Sequence, residues 1–125
     1  MPRNIVSTVN APTSAAYSQA VKAAGLIFVS GQGPFNALTG EVVGESIQEQ
    51  TRQCLNNISA ILTAADSSID KIVSATFILA EEHDFIGLNE EWMRWFPVNP
   101  PARQGAKLPI RPKGIRVSIA VIAES

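Results

Sequence analysis

Over residues 115–123 the apolar positions alternate almost without a break. Ile115, Val117, Ile119, Val121 and Ala123 share one parity, and Arg116, Ser118, Ala120 and Ile122 the other. A period of two belongs to a strand whose successive side chains leave opposite faces, so a strand is predicted there. Residues 72–79 read the same way, with Val73, Ala75, Phe77 and Leu79 as the apolar face. Ser74 and Thr76, among Ile72 and Ile78, form the other face. Nearer the start, Ile5-Val6 predicts a short strand, and residues 20–30 a hairpin turning at Ala24-Gly25. Its second arm, Leu26-Ile27-Phe28-Val29, is an unbroken apolar run between glycines, the pattern of a strand buried on both faces.

After residue 46 the period changes to that of a helix. Ile47, Thr51, Cys54, Leu55, Ile58, Ile61, Leu62 and Ala65 fall on one side, and Gln48, Gln50, Arg52, Gln53, Asn56 and Asn57 mostly on the other. Ser46 with Glu49 three residues on is a capping box that opens the helix, and Ala64-Ala65-Asp66 ends it. A second helix is predicted from about Asp84, as N-cap, with Phe85, Leu88, Trp92, Trp95 and Phe96 on one stripe and Pro97 as its stop. Pro and Gly gather in residues 31–44, 97–101 and 105–114, which read as loops within one domain spanning 1–125.

The order strand, hairpin, helix, strand, helix, strand predicts an α+β fold, a mixed sheet with two helices packed on one face. The other face would carry the small residues Ser74, Thr76, Ser118 and Ala120 beside Ile78 and Ile122. Left bare it would expose a sizeable apolar patch, so a second subunit is expected to cover it.

Composition narrows the chemistry. With 125 residues, 46% of them hydrophobic, the chain can fill a core. A net charge of −1 gives no general attraction for nucleic acid or anionic membrane. The longest uncharged apolar stretch, residues 23–29, is far short of the roughly 20 residues a membrane span needs. Behind Met1-Pro2-Arg3-Asn4 there is no apolar block, so no secretory leader is expected. The single cysteine, Cys54, rules out an internal disulfide, and a reducing, cytoplasmic setting is expected. One Cys and one His cannot build the usual zinc site within a chain.

His83, among Glu81, Glu82 and Asp84, reads as a solvated side chain, and no Ser occupies a strand-turn-helix nucleophile setting. Cys54, on the apolar side of its helix, reads as a buried, inert thiol. Gly31-Gln32-Gly33 is too short for a dinucleotide fingerprint. Arg103 follows the stiff lead-in Asn99-Pro100-Pro101-Ala102, and a planar guanidinium on a fixed backbone suits bidentate capture of a small carboxylate. Arg103, Lys107, Arg111, Lys113 and Arg116 put half of the ten basic residues within fourteen positions. No aromatics are interleaved there for base stacking, which argues against nucleic acid.

Several segments stand in order along nearly the whole chain: Asn10-Ala11-Pro12, Tyr17-Ser18-Gln19-Ala20-Val21, Phe28-Val29-Ser30-Gly31-Gln32 and Thr39-Gly40-Glu41. They continue through residues 53–57, Asp84-Phe85 to Asn89, Pro101-Ala102-Arg103 and residues 119–123. In these segments the chain resembles the RidA/YjgF family, the reactive intermediate deaminases. The resemblance implies a chorismate-mutase-like fold, a homotrimer with pockets between neighbouring subunits, and hydrolysis of 2-imino acids to 2-keto acids and ammonia, with no metal or organic cofactor. On the matching positions Arg103 would clamp the carboxylate. Ser30 and Gly31 would lie near the substrate, the Gly31 carbonyl facing the imine nitrogen, and Tyr17 and Asn89 would line the pocket.

Three positions depart from that pattern. Deaminating members carry a glutamate fifteen residues after the arginine that positions the attacking water; here the residue is Ser118. The position two after the arginine, often Cys, is Gly105, and the usual Gly-Pro before Tyr17 is Ala15-Ala16. A hydroxyl can hold a water but cannot act as a carboxylate base. Two further functions therefore stand beside deamination of a small carboxylate-bearing imine or enamine: a non-catalytic sensor or protective binder of small carboxylates, and RNA binding or cleavage resting on the basic stretch.

Overall fold

The structure, a computed structural model, describes residues 3–110, 112 and 114–125. Six strands form one sheet: β1 (Asn4–Val6), β2 (Ala20–Ala23), β3 (Leu26–Gln32), β4 (Ile72–Leu79), β5 (Ala102–Lys107) and β6 (Val117–Glu124). Their order is β1-β2-β3-β6-β4-β5, and every pairing is antiparallel except β4 with β5. Helices α1 (Ile47–Ala64) and α2 (Phe85–Trp95) touch each other, and α1 lies against β3 and β6. The predicted mixed sheet with two helices on one face is the observed one.

Local chemistry explains the elements that were legible. At the head of α1 the Ser46 hydroxyl accepts from the Glu49 N–H while the Glu49 carboxylate accepts from the Ser46 N–H, the reciprocal capping box. Ile58, Ile61 and Leu62 from α1 and Ile27, Val117 and Ile119 of the sheet are fully buried in one core cluster, at roughly 1.5–3 kcal/mol per fully buried large aliphatic side chain. The hairpin turns at Ala24 (φ 55°) and Gly25 (φ 77°), the paired left-handed residues that match the twist of two antiparallel strands.

Other expectations need correction. Val73 does not join the apolar face: β4 shifts register against β6 between Ile72 and Ser74, so Ile72 is buried and Val73 is 41% exposed. A single extra residue reverses the parity of everything before it. In β3 only Ile27 and Val29 reach the core, while Phe28 is 41% exposed on the far face. Gln50 and Asn57, assigned to the polar side of α1, are buried. Asp84 precedes α2 but makes no capping bond with its side chain; its carboxylate pairs with Arg116 at 3.2 Å instead. Strand β5 lies where the sequence predicts no strand, because Ala-Arg-Gln-Gly-Ala-Lys has neither β-branched residues nor alternation. It is a sheet edge, reached from β4 by the α2 crossover.

Candidate functional site

Arg103 lies on β5 directly beside Ala75 of β4, on the face that carries the helices. Its guanidinium is boxed by three rings, with its central carbon 4.9 Å from the centroid of Phe77, 5.1 Å from Trp92 and 5.7 Å from Phe85. Nη2 donates to Asn89 Oδ1 at 2.7 Å. Phe85, Asn89 and Trp92 follow one another at helical spacing along α2, so one helix face supplies two walls and the hydrogen-bond acceptor. Among the described residues no carboxylate pairs with Arg103. Burial alone pushes its proton affinity below the ordinary arginine value, and it stays a cation at neutral pH. A half-buried guanidinium that no carboxylate among the described residues pairs with, and whose donor fork is partly uncommitted, has the geometry to receive a small planar anion.

Tyr17, Gly31 and Ser118 gather elsewhere. They line a cleft of about 150 Å³ together with Phe35, Ile110 and Ile115. Ser118 projects from β6 against the Cα of Gly31, where an added Cβ would come within 3.3 Å of its Oγ. Ser30 is next to this cleft at a β-bulge: Val29 pairs with Val121 and Gln32 with Ile119, so three steps on β3 oppose two on β6. The Ser30 hydroxyl donates to the Ser18 carbonyl at 2.6 Å, and the Gln32 side chain donates to the Ser30 carbonyl at 3.1 Å.

Residues assigned no role from the sequence hold this cleft in shape. The Gln19 side-chain amide donates to the carbonyls of Thr8, Ala11 and Pro12 and accepts from the Thr8 N–H, tying down the loop that leads to Tyr17. Asn57 donates to the carbonyls of Gly33 and Phe35. Gln50 donates to the carbonyls of Gly44 and Gly114 and accepts from the Arg116 N–H, fixing the approach to β6. Gln50 and Asn57 fall in steps of three and four with Ile47, Cys54 and Ile61, and a polar residue on such a buried stripe needs a partner; Gln19, outside every helix and strand, has no such signal.

The two clusters face opposite sides of the sheet. Ser118 alternates with the core residues Val117 and Ile119 and so points away from the helices, whereas Arg103 points toward them. Strand β4 stands between their strands. Within one chain no small ligand can touch both. Gly105, two residues beyond Arg103, lies in register with Phe77 and against its ring. Among the described residues of the basic stretch, Arg103 is caged by rings and Arg116 is held by Asp84 and by the Glu45 carbonyl. Arg111 and Lys113 lie outside the described residues. Cys54 is fully buried, and burial drives its thiol far above the ordinary range, as expected for an inert position. The His83 side chain is 71% exposed. Among the described residues no group of Cys, His, Asp and Glu could hold a metal ion, and no helix is long and apolar enough to cross a membrane.

Residues 8–125 match the family model described as Endoribonuclease L-PSP. The chain is 38% identical over 122 residues to the 2-iminobutanoate/2-iminopropanoate deaminase of Capra hircus, covering 97% of this chain and 89% of the relative. The crystal structure of RidA from an Antarctic Psychrobacter superposes with a TM-score of 0.91 at 33% identity, over 98% of this chain and 99% of that one. The chain belongs to the RidA/YjgF family. Another family structure, TdcF of E. coli with bound serine, matches at TM-score 0.89 and 31% identity, covering 98% of both chains. Arg103 is carried at the edge of the sheet by β5, a strand with no alternation in the sequence to announce it.

Proposed function

We propose that this protein hydrolyses small 2-imino or enamine acids to 2-keto acids and ammonia, with Arg103 holding the substrate carboxylate. The observation that carries the reading is the caged guanidinium, partly stripped of water and lacking a carboxylate partner among the described residues. The family relationship supports it, including one relative named as a deaminase of such imines and one whose structure contains serine, itself a small carboxylate.

In this reading the site is completed between copies of a homotrimer. Arg103 and Asn89 of one protomer face Tyr17, Ser30, Gly31 and Ser118 of its neighbour, since the two groups lie on opposite sheet faces of a single chain. The exposed Phe28 and Val73 on the face without helices support self-association through that face. In the reaction a water adds to the imine carbon, the nitrogen gains a proton, and the resulting carbinolamine collapses to the keto acid as ammonia leaves. Arg103 fixes the carboxylate, the Gly31 carbonyl accepts from the imine N–H, and the Ser118 hydroxyl holds the water by hydrogen bonding. Orientation of this kind recovers several kcal/mol of barrier, within the roughly 7–11 kcal/mol available to positioning.

Ser118 also favours a second reading, a non-catalytic carboxylate binder, because a hydroxyl cannot take up the proton that a glutamate would. One experiment separates the two. A dehydratase generates 2-iminobutanoate in the presence of the protein, and imine decay is followed against the spontaneous rate. Acceleration that disappears in Arg103→Ala is expected. No acceleration, with calorimetric binding of 2-ketobutyrate that still depends on Arg103, establishes the binder; neither effect refutes both.

A further inference from the structure

Gly105 is a glycine without a backbone reason. It lies inside the extended strand β5 and is absent from the residues of positive φ. What it lacks is space. A Cβ at this position would fall well inside van der Waals contact with Cζ, Cε1 and Cε2 of Phe77. The Phe77 ring leans across from β4 and occupies the volume that a side chain at 105 would fill. It has little freedom to retreat, being 7% exposed and packed against the Phe85 ring at a centroid distance of 5.9 Å. That ring is also the one nearest to Arg103, with the guanidinium carbon 4.9 Å from its centroid.

We propose that Phe77 is a positioning residue for the carboxylate-binding arginine, and that Gly105 is the vacancy that lets its ring lie beneath the guanidinium. The inference rests on the deaminase reading for its consequence in binding, though not for its geometry. The ring supplies a flat apolar floor that restricts the guanidinium to one plane, while Asn89 and Trp92 set its rotation and depth. A planar donor fork loses less freedom on gripping a carboxylate when its plane is already fixed. A methyl at 105 displaces the ring, and the ring displaces the arginine. Substrate affinity is thereby tied to a contact that no substrate touches.

A double-substitution cycle on the intact chain tests this, using wild type, Gly105→Ala, Phe77→Leu and the combination. The readouts are calorimetric binding of 2-ketobutyrate and the NMR resonance of the Arg103 Nε–H, identified by its loss in Arg103→Met. In wild type the three rings are expected to displace this resonance from its position in a solvated arginine. Gly105→Ala is expected to move it toward that position and to weaken binding about tenfold, the scale of an overpacked contact. In the Phe77→Leu background the added methyl meets no ring. The double variant should therefore bind within about twofold of Phe77→Leu alone and share its resonance. Failure of Gly105→Ala to fold while the double variant folds supports the same coupling. Additive losses in binding, an Arg103 resonance unmoved by Gly105→Ala, or a double variant that unfolds while Phe77→Leu folds would each overturn the proposal. Wild type that binds no 2-keto acid while showing the displaced resonance refutes the carboxylate-site reading instead. The resonance cycle then decides the Phe77–Gly105 coupling by itself.

Discussion

Replacing Arg103 by Met should separate binding from stability. Methionine keeps the length of the stem and can fill the box of Phe77, Phe85 and Trp92 with apolar and sulfur contacts. It removes a cation that burial disfavours and that no carboxylate among the described residues balances. The losses on the stability side are the ring–cation attraction, about 0.5–2 kcal/mol, and the 2.7 Å bond to Asn89; the relief of desolvation acts against both. The melting temperature is therefore expected to stay within about 5 °C of wild type. Binding loses two charge-assisted hydrogen bonds to the carboxylate, worth about 1.5–3 kcal/mol each. Discounted for a half-buried site, the loss is about 3 kcal/mol, or about 150-fold in the dissociation constant of 2-ketobutyrate. Titration calorimetry beside thermal circular dichroism measures both quantities on one preparation. Affinity within threefold of wild type, in a chain that still melts cooperatively, would refute the assignment of Arg103 as the carboxylate receptor.

Three other outcomes are expected. Ser118→Glu, which places a carboxylate beside Gly31, should raise 2-iminobutanoate turnover tenfold or more by supplying a proton acceptor for the water; steady-state assays that show unchanged or lower turnover contradict that role for position 118. Gln50→Leu removes three hydrogen bonds to Gly44, Gly114 and Arg116. At a net value of about 1 kcal/mol each, this should lower the melting temperature by about 10 °C for a chain of this length, as scanning calorimetry would read. Cys54 titrates far higher when folded than when unfolded, where its thiol ionises near 9, so above that pH only the unfolded chain releases the proton. Urea denaturation should show stability falling between pH 9 and pH 10 in wild type, with a smaller fall in Cys54→Ala.

Much of the fold was legible because its signals are local. The Ser46–Glu49 capping box, the Ala24-Gly25 turn and the alternation from Val117 onward each depend on neighbours a few residues apart. The failures have an equally definite cause. Alternation predicts the wrong face for Val73 because a bulge changes parity without changing the composition of the strand. Strand β5 has no local signal because edge strands need not alternate, and its partner β4 is brought to it only by the crossover of α2. Gln50 and Asn57 read as solvated by residue type, although Ile47, Gln50, Cys54, Asn57 and Ile61 share one helical stripe, and the loop carbonyls that satisfy them come from segments remote in sequence.

The same division runs through the candidate site. Arg103, Tyr17, Ser30, Gly31, Asn89 and Ser118 could be singled out in the chain from residue type, rigid flanks and family resemblance. Folding sorts them onto two faces of one sheet, Arg103 with Asn89 among the rings and Ser118 with Tyr17 and Gly31 beyond β4. Phe77, Phe85 and Trp92 carry no mark in the sequence beyond apolar spacing, yet they surround a half-buried cation with which no carboxylate among the described residues pairs. Chemical identity is carried by each residue alone, whereas shelter from water and the side of a sheet arise from contacts between segments remote in sequence. Those contacts exist only once the core has closed.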